Sequence, residues 1–259
     1  RACETESGPR AGSQLRPIPR RSLSDAVFEQ LRDAIVGGSL PAGAPLPAER
    51  VLCESLGVNR GAVRAALRKL EQARLVTVRH GGTSQVLDYR RSAGLDLLAA
   101  LLVRPEGGLD AAAVRGVMEV RTTLAPEIAR LAALRRSGPT ADALDETVAA
   151  MRAARGDAEA LQRLGIAFWG LVVEGSGNLA YRLLWNTLRD TYERMLPLLT
   201  RVLAEENGDP EAFAALAAAV RRGDCDDARA WAHTLVLRGE EAVSRALDAR
   251  AAAGERRPS

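Results

Sequence analysis

The sequence predicts a mainly α protein, with an N-terminal winged helix-turn-helix (three helices plus a β-hairpin wing) followed by an all-α antiparallel helical bundle. Three observations predict it. Ala and Leu dominate a chain that is 47% hydrophobic and only 3% aromatic, which suits helices packed through aliphatic side chains better than strands. Residues 24–87 run in the order helix, helix, tight turn, helix, alternating hairpin. Beyond residue 92 the apolar spacing is helical throughout, with no second strand pattern and no convincing repeat.

Residues 1–20 are polar and rich in Pro, Gly and Arg, and read as a disordered tail. They lack the apolar stretch of a secretory signal. The first helix begins near Ser24, with Val27, Leu31, Ala34 and Ile35 on one face, and Gly37-Gly38 ends it. The rigid loop Pro41–Pro47 follows, and Pro47 suits a first helical position, where an amide has no intrahelical partner. The second helix presents Val51, Leu52 and Leu56 and stops at Gly57. Asn59 is placed to cap the third helix, whose inward residues are Val63, Ala66, Leu67 and Leu70. Leu75–Arg79 reads as a strand, His80–Thr83 as a tight turn and Ser84–Leu87 as the return strand.

Helices are then expected at 92–104, 108–136, 140–155, 157–174, 178–206, 209–222 and 224–250, separated by Gly, Pro and Ser breaks. The domain plan is a tail at 1–20, a DNA-binding domain at 21–89, a linker at 90–94, a helical effector-binding and dimerisation domain at 95–251, and a frayed end at 252–259.

The net charge of +3 is unevenly spread. Residues 1–90 carry 14 Lys+Arg against 9 Asp+Glu, whereas the remainder carries 22 against 24. A basic head suits a polyanionic partner. Cys3, Cys53 and Cys225 form no CxxC pair, so they read as free thiols in a reducing cytoplasm. No apolar run reaches the length of a membrane span.

Arg60, Arg64 and Arg68 recur every four residues along one face of the third helix. A guanidinium donates two parallel hydrogen bonds to guanine O6 and N7, so Arg60 and Arg64 are candidate base readers in a major groove. Gly61 and Ala62 are small enough to let the helix lie close to that groove. Asn59 either caps or contacts DNA, and Arg50 is placed to grip a phosphate. His80 and Gly81 at the hairpin tip suit a minor-groove edge. The competing readings are a solvated basic face, or a helical protein that binds a partner other than DNA. Two histidines and no paired nucleophile leave little for an enzyme.

Leu46-Pro47-Ala48-Glu49-Arg50 followed by Gly57-Val58-Asn59-Arg60-Gly61-Ala62-Val63-Arg64-Ala65-Ala66-Leu67 resembles the reading segment of the GntR family of bacterial regulators. Arg79-His80-Gly81, Ser92–Leu98, Val120-Arg121-Thr122 and Phe168–Leu171 leading to Gly175-Ser176-Gly177-Asn178 are similar to the FadR subfamily, and most to the fatty-acid regulators for which it is named. The resemblance implies a homodimer on a two-fold double-stranded operator. It implies DNA contacts at Arg50, Asn59, Arg60, Gly61, Ala62, Arg64, His80 and Gly81. The fatty-acid regulators have threonines where Asn59, Gly61 and Ala62 stand, which implies a different base preference.

Most of the subfamily hold a metal through one Asp and three His. The corresponding positions are Gly165, Trp169, Phe213 and Leu235, none of which ligates, so neither a metal nor a cofactor is expected. The resemblance implies instead an apolar pocket for a small-molecule effector, with a long-chain fatty acyl-CoA as the first candidate. Its walls would be Trp169, Leu188, Tyr192, Leu199, Phe213 and Leu235, with Arg121 passing the signal. Val236 and Gly239 replace the small residues that meet coenzyme A. The alternative is another metal-independent effector from carboxylic or sugar-acid catabolism.

Overall fold

The computed structural model describes residues 22–78, 84–103, 108–194 and 196–255. The expected tail at 1–20 and the expected turn His80–Thr83 lie outside them. The chain divides into two compact units, one ending at Ala93 and the other beginning at Gly94.

In the first unit, helix α1 (Leu23–Val36) starts at Ser22, whose hydroxyl accepts the Asp25 amide at 3.2 Å. It buries Val27, Leu31 and Ile35, while Ala34 is only half-buried. Helix α2 (Glu49–Leu56) buries Leu52. Val51, expected beside it on the apolar face, is 41% exposed. Adjacent helical residues point about 100° apart, and so short a helix covers only one of them. Gly57 closes α2 with φ +63°, a left-handed conformation that a Cβ disfavours, and both Gly57 and Val58 donate to the Cys53 carbonyl. Helix α3 (Arg60–Gln72) then sets Val63, Ala66, Leu67 and Leu70 into the core against α1.

Strands β1 (Val76–Thr77) and β2 (Gln85–Val86) pair antiparallel, Val76 opposite Val86 and Thr77 opposite Gln85. This ladder is shorter than the expected Leu75–Arg79 and Ser84–Leu87. The proline loop supplies what the short ladder lacks. Gly43 donates to Val86 (2.8 Å), Val86 to Ala44 (2.9 Å) and Leu46 to Ser84 (2.8 Å), so the outer edge of β2 is covered.

The expected helix at 92–104 is replaced by three pieces. They are α4 (Tyr89–Ser92), a 3₁₀ turn at Leu95–Leu97, and α5 (Leu98–Leu101). Gly94 is extended between them, consistent with its poor helix propensity, and Asp88 caps α4. Ser92 ties α4 back to the Arg74 carbonyl at 2.8 Å.

The second unit is helical. Asp110, Ser137 and Asp157 cap α6 (Ala111–Leu134), α7 (Gly138–Ala153) and α8 (Ala158–Gly175). The expected helix at 178–206 is instead α9 (Leu179–Arg194), α10 (Leu196–Val202) and α11 (Ala204–Asn207). Helix α12 (Pro210–Arg222) starts at the Asp209 cap with proline at its first position. Helix α13 (Cys225–Glu255) packs along α6 and runs beyond the expected end at 250.

The main core of this unit lies among α6, α7, α8, α12 and α13. Phe168 meets Phe213 edge to face at 5.0 Å, and Leu216, Leu235 and Val236 are fully enclosed around them. We predict that Phe213→Ala lowers stability by about 3–5 kcal/mol in urea unfolding followed by circular dichroism. A loss below about 1 kcal/mol would place this ring outside the close-packed core.

Candidate functional site

In the first unit the site is the exposed face of α3. The Asn59 side chain accepts the Ala62 amide at 2.9 Å and so starts the helix at Arg60. Arg60, Gly61, Arg64 and Arg68 are exposed. Ala62 turns inward and is 9% exposed, so the close approach expected of two small residues falls to Gly61 alone. Arg64 donates through Nε to Glu49 of α2 at 2.8 Å, which holds its guanidinium over the turn between the helices. Arg50 pairs with Glu54 one turn along α2, also at 2.8 Å, and both are largely exposed. Such exposed pairs contribute little to stability. His80 and Gly81 lie outside the described residues.

In the second unit, α6, α8 and α9 enclose an apolar cavity of about 40 Å³. Arg121, Trp169, Leu188 and Tyr192 line it, together with Tyr181, Leu184 and Trp185. At one end Arg121 of α6 forms a two-pronged ion pair with Glu206 of α11, including Nη1 to Oε2 at 2.8 Å. Their side chains are 11% and 1% exposed. Burial works against the Arg121 charge, but the Glu206 carboxylate and the Tyr192 phenol together outweigh it and the guanidinium pKa is raised. The guanidinium also stands 5.9 Å from the Trp169 ring centroid. A smaller cavity of about 20 Å³ with a mixed lining adjoins the pair, bordered by Gln162, Gly165 and Asn207 among others. Asn207 donates to Gln162 there at 2.6 Å. Trp169 Nε1 and Tyr192 Oη are buried with no hydrogen-bond partner among the described residues. Burial pushes the Tyr192 phenol pKa up, so it stays a donor.

Residues 23–86 match the family described as bacterial regulatory proteins, gntR family, and residues 116–238 match the FCD domain. The HTH-type transcriptional regulator Mce2R of Mycobacterium tuberculosis is 40% identical over 222 residues, which are 86% of this chain and 92% of that protein. The chain belongs to the gntR family. A fatty acid metabolism regulator protein of Edwardsiella ictaluri is 31% identical, across 69% of this chain and 72% of its own length. The solved structure of Lar, described as controlling the Listeria monocytogenes agr system, aligns with a TM-score of 0.58 at 15% identity, covering 88% of this chain and 99% of that one. That likeness speaks to the fold alone.

This gntR-family chain is therefore a DNA-binding transcription regulator with an effector-binding FCD domain, and not an enzyme. No helix among its described residues is long and apolar enough to cross a membrane. The four positions that the resemblance would make metal ligands do not fit a metal. Gly165 and Trp169 border the smaller cavity, while Phe213 and Leu235 are enclosed in the core, and none offers a suitable lone pair.

The structure gathers Arg121, Trp169, Leu188 and Tyr192 around one cavity. Leu199 is half-buried against the neighbouring cluster, and Phe213, Leu235 and Val236 point into the main core and do not border the cavity. Gly239 faces the ion pair, and a Cβ there would overlap both Glu206 and Arg121.

Sequence reasoning missed Glu206, Gln162 and Asn207. Glu206 sits in the polar run Ala204–Gly208, and nothing local marks it as buried. It also missed Tyr181, Leu184 and Trp185, although with Leu188 and Tyr192 they keep a helical stripe that periodicity makes visible. We predict that Glu206→Ala costs about 3–5 kcal/mol, because it strands a buried guanidinium. Arg121→Met with Glu206→Leu should recover most of that loss. A single variant as stable as wild type in thermal unfolding would show the pair to be solvated.

Proposed function

We propose that this regulator binds a two-fold operator as a homodimer, and that an apolar acyl effector, first of all a long-chain fatty acyl-CoA, controls its affinity from the FCD-domain cavity. The observation that carries the effector reading is the apolar cavity beside Arg121. Its lining is aliphatic and aromatic apart from that one charge. The fatty acid metabolism regulator among the relatives supports an acyl ligand. Burial of a chain contributes about 0.8 kcal/mol per CH₂, so a long tail binds tightly.

A volume of about 40 Å³ has room for a few waters and not for a long acyl chain. A bound chain therefore selects a more open arrangement of α9 against α6 and α8. Such differential binding is what shifts a regulator between two states. The segment Tyr89–Gly94, which joins the two units, carries the change to the DNA-binding domain. A coupling of about 1–3 kcal/mol changes operator affinity about 5–150-fold.

In the DNA-binding domain, Arg60 and Arg64 read bases, with Asn59 and Gly61 setting the approach of the helix. Arg50, His80 and Gly81 complete the proposed contact set, while Ala62, buried and with its amide held by Asn59, falls outside it. Arg60→Ala or Arg64→Ala should weaken operator binding by about 1–3 kcal/mol and relax one base position. Fluorescence anisotropy with an operator duplex measures this, and unchanged affinity in both variants would remove them from the interface. Adding oleoyl-CoA to the wild-type complex should raise the operator Kd at least about fivefold. No shift with any long-chain acyl-CoA would end the acyl-effector reading. Sedimentation of the complex tests the homodimer directly.

A further inference from the structure

We infer that Arg68, a third arginine on α3, grips a DNA phosphate at the edge of the groove that Arg60 and Arg64 read, and so supplies affinity without sequence preference. This inference rests on the reading of α3 as the helix that enters DNA. It gives a role to a residue outside the proposed contact set.

The direction of Arg68 follows from its neighbours. Ala66 and Leu70, two residues before and after it, are fully enclosed. Two residues turn an α-helix by about 200°, so the Arg68 side chain points away from the core. It is exposed, as are Arg60 and Arg64. Gly61 shares its direction, since the seven positions between them make about two whole turns. That side of the helix therefore lies open to a close approach.

The charged groups around Arg68 are engaged elsewhere. Arg64 donates to Glu49 at 2.8 Å, and Lys69 pairs with Asp25 of α1. Glu71, the carboxylate nearest in sequence, accepts the Val78 amide at 3.1 Å. Gln72, one turn further on, is uncharged. Arg68 itself has no hydrogen bond or ion pair among the described residues. Like charges four residues apart on a helix repel, and Arg60, Arg64 and Arg68 carry that spacing twice over. The free protein gains nothing from the arrangement, whereas a polyanion laid along the face removes the repulsion.

Position along the helix separates the arginines by task. The N-terminal residues of a reading helix contact the base edges. Arg68 stands eight positions beyond Arg60, or about 12 Å along the axis. The major groove is itself only about 12 Å wide. Two turns out, the helix has come up to a flanking sugar–phosphate strand, where the guanidinium meets phosphate oxygens instead of base edges. It donates two parallel hydrogen bonds to them.

The test uses the full-length protein and two duplexes of equal length, one selected by wild type from a random library and one scrambled. Both are titrated by fluorescence anisotropy across a salt series. Arg68→Ala should weaken both duplexes by the same factor, about five- to tenfold for each bound protomer near 0.1 M salt. The slope of log affinity against log salt should become shallower by about one per protomer. The ratio of the two affinities should hold, whereas Arg60→Ala lowers it. Arg68→Lys should keep most of the affinity, because a phosphate accepts a point charge and a base edge read by the planar fork does not. The melting temperature of Arg68→Ala should hold or rise, since the change removes repulsion and no contact. Unchanged affinity and slope in Arg68→Ala, with Arg60→Ala or Arg64→Ala still impaired, overturn this inference alone. A loss confined to the selected duplex overturns the phosphate assignment, because it makes Arg68 a reader of bases. If none of the three alanine variants alters binding to either duplex, the reading of α3 as the DNA helix falls and takes this inference with it. Should Arg68→Ala fail to fold, Arg68→Gln, which keeps a long uncharged side chain, supplies the same comparison.

Discussion

The buried pair of Arg121 and Glu206 is the constraint on which the architecture of the FCD domain turns. It joins α6 to α11 across 85 positions of sequence, and it is hemmed in by Trp169 of α8 and Gly239 of α13. Neither charge is tolerable there alone, because desolvating a single ion costs more than the fold can offset elsewhere. The pair therefore fixes the relative placement of several helices. It also explains a glycine in the middle of the longest helix, since any side chain at 239 would drive into the carboxylate. The same pair ends the apolar cavity and sets its chemistry.

The two units solve different physical problems. The DNA-binding unit needs a rigid helix with its long donors facing outward. Asn59 starts that helix, Gly57 supplies the turn before it, and Val63, Ala66, Leu67 and Leu70 anchor its back. Its arginines are held by exposed pairs with Glu49 and Glu54, which position them at little energetic cost. The FCD unit needs the reverse, a place where packing is incomplete. Close-packed Phe168, Phe213 and Leu216 supply stability on one side, and the looser contact of α9 with α6 and α8 leaves the cavity on the other. Separating a dense core from a small void lets a ligand bias one region without unfolding the rest.

Much of this was legible in the chain itself. Caps at Ser22, Asn59, Asp110, Ser137, Asp157 and Asp209 stand where local chemistry puts them, and the motif from Leu46 to Leu67 marks the family by residue type and spacing alone. Some local signals were legible but outweighed. Gly94 separates α4 from the turn after it, where periodicity reads one helix. Val51 and Ala62 show the limit of an apolar face drawn from spacing, since one lies outside the contact and the other inside it. Phe213, Leu235 and Val236 came to the effector pocket by resemblance, yet in this chain they fill the core beside it.

The sequence by itself determined where α1, α2, α3 and α12 lie, which family the chain belongs to, and which arginines share the exposed side of α3. Those features depend on neighbours a few residues away, through capping bonds, turn glycines and helical spacing. Only the tertiary structure decided that Glu206 is buried against Arg121, that Trp169 and Tyr192 keep unpaired donors, and which apolar side chains border a void instead of a packed neighbour. Burial and charge pairing are properties of groups brought together from distant parts of the chain, and no local pattern carries them.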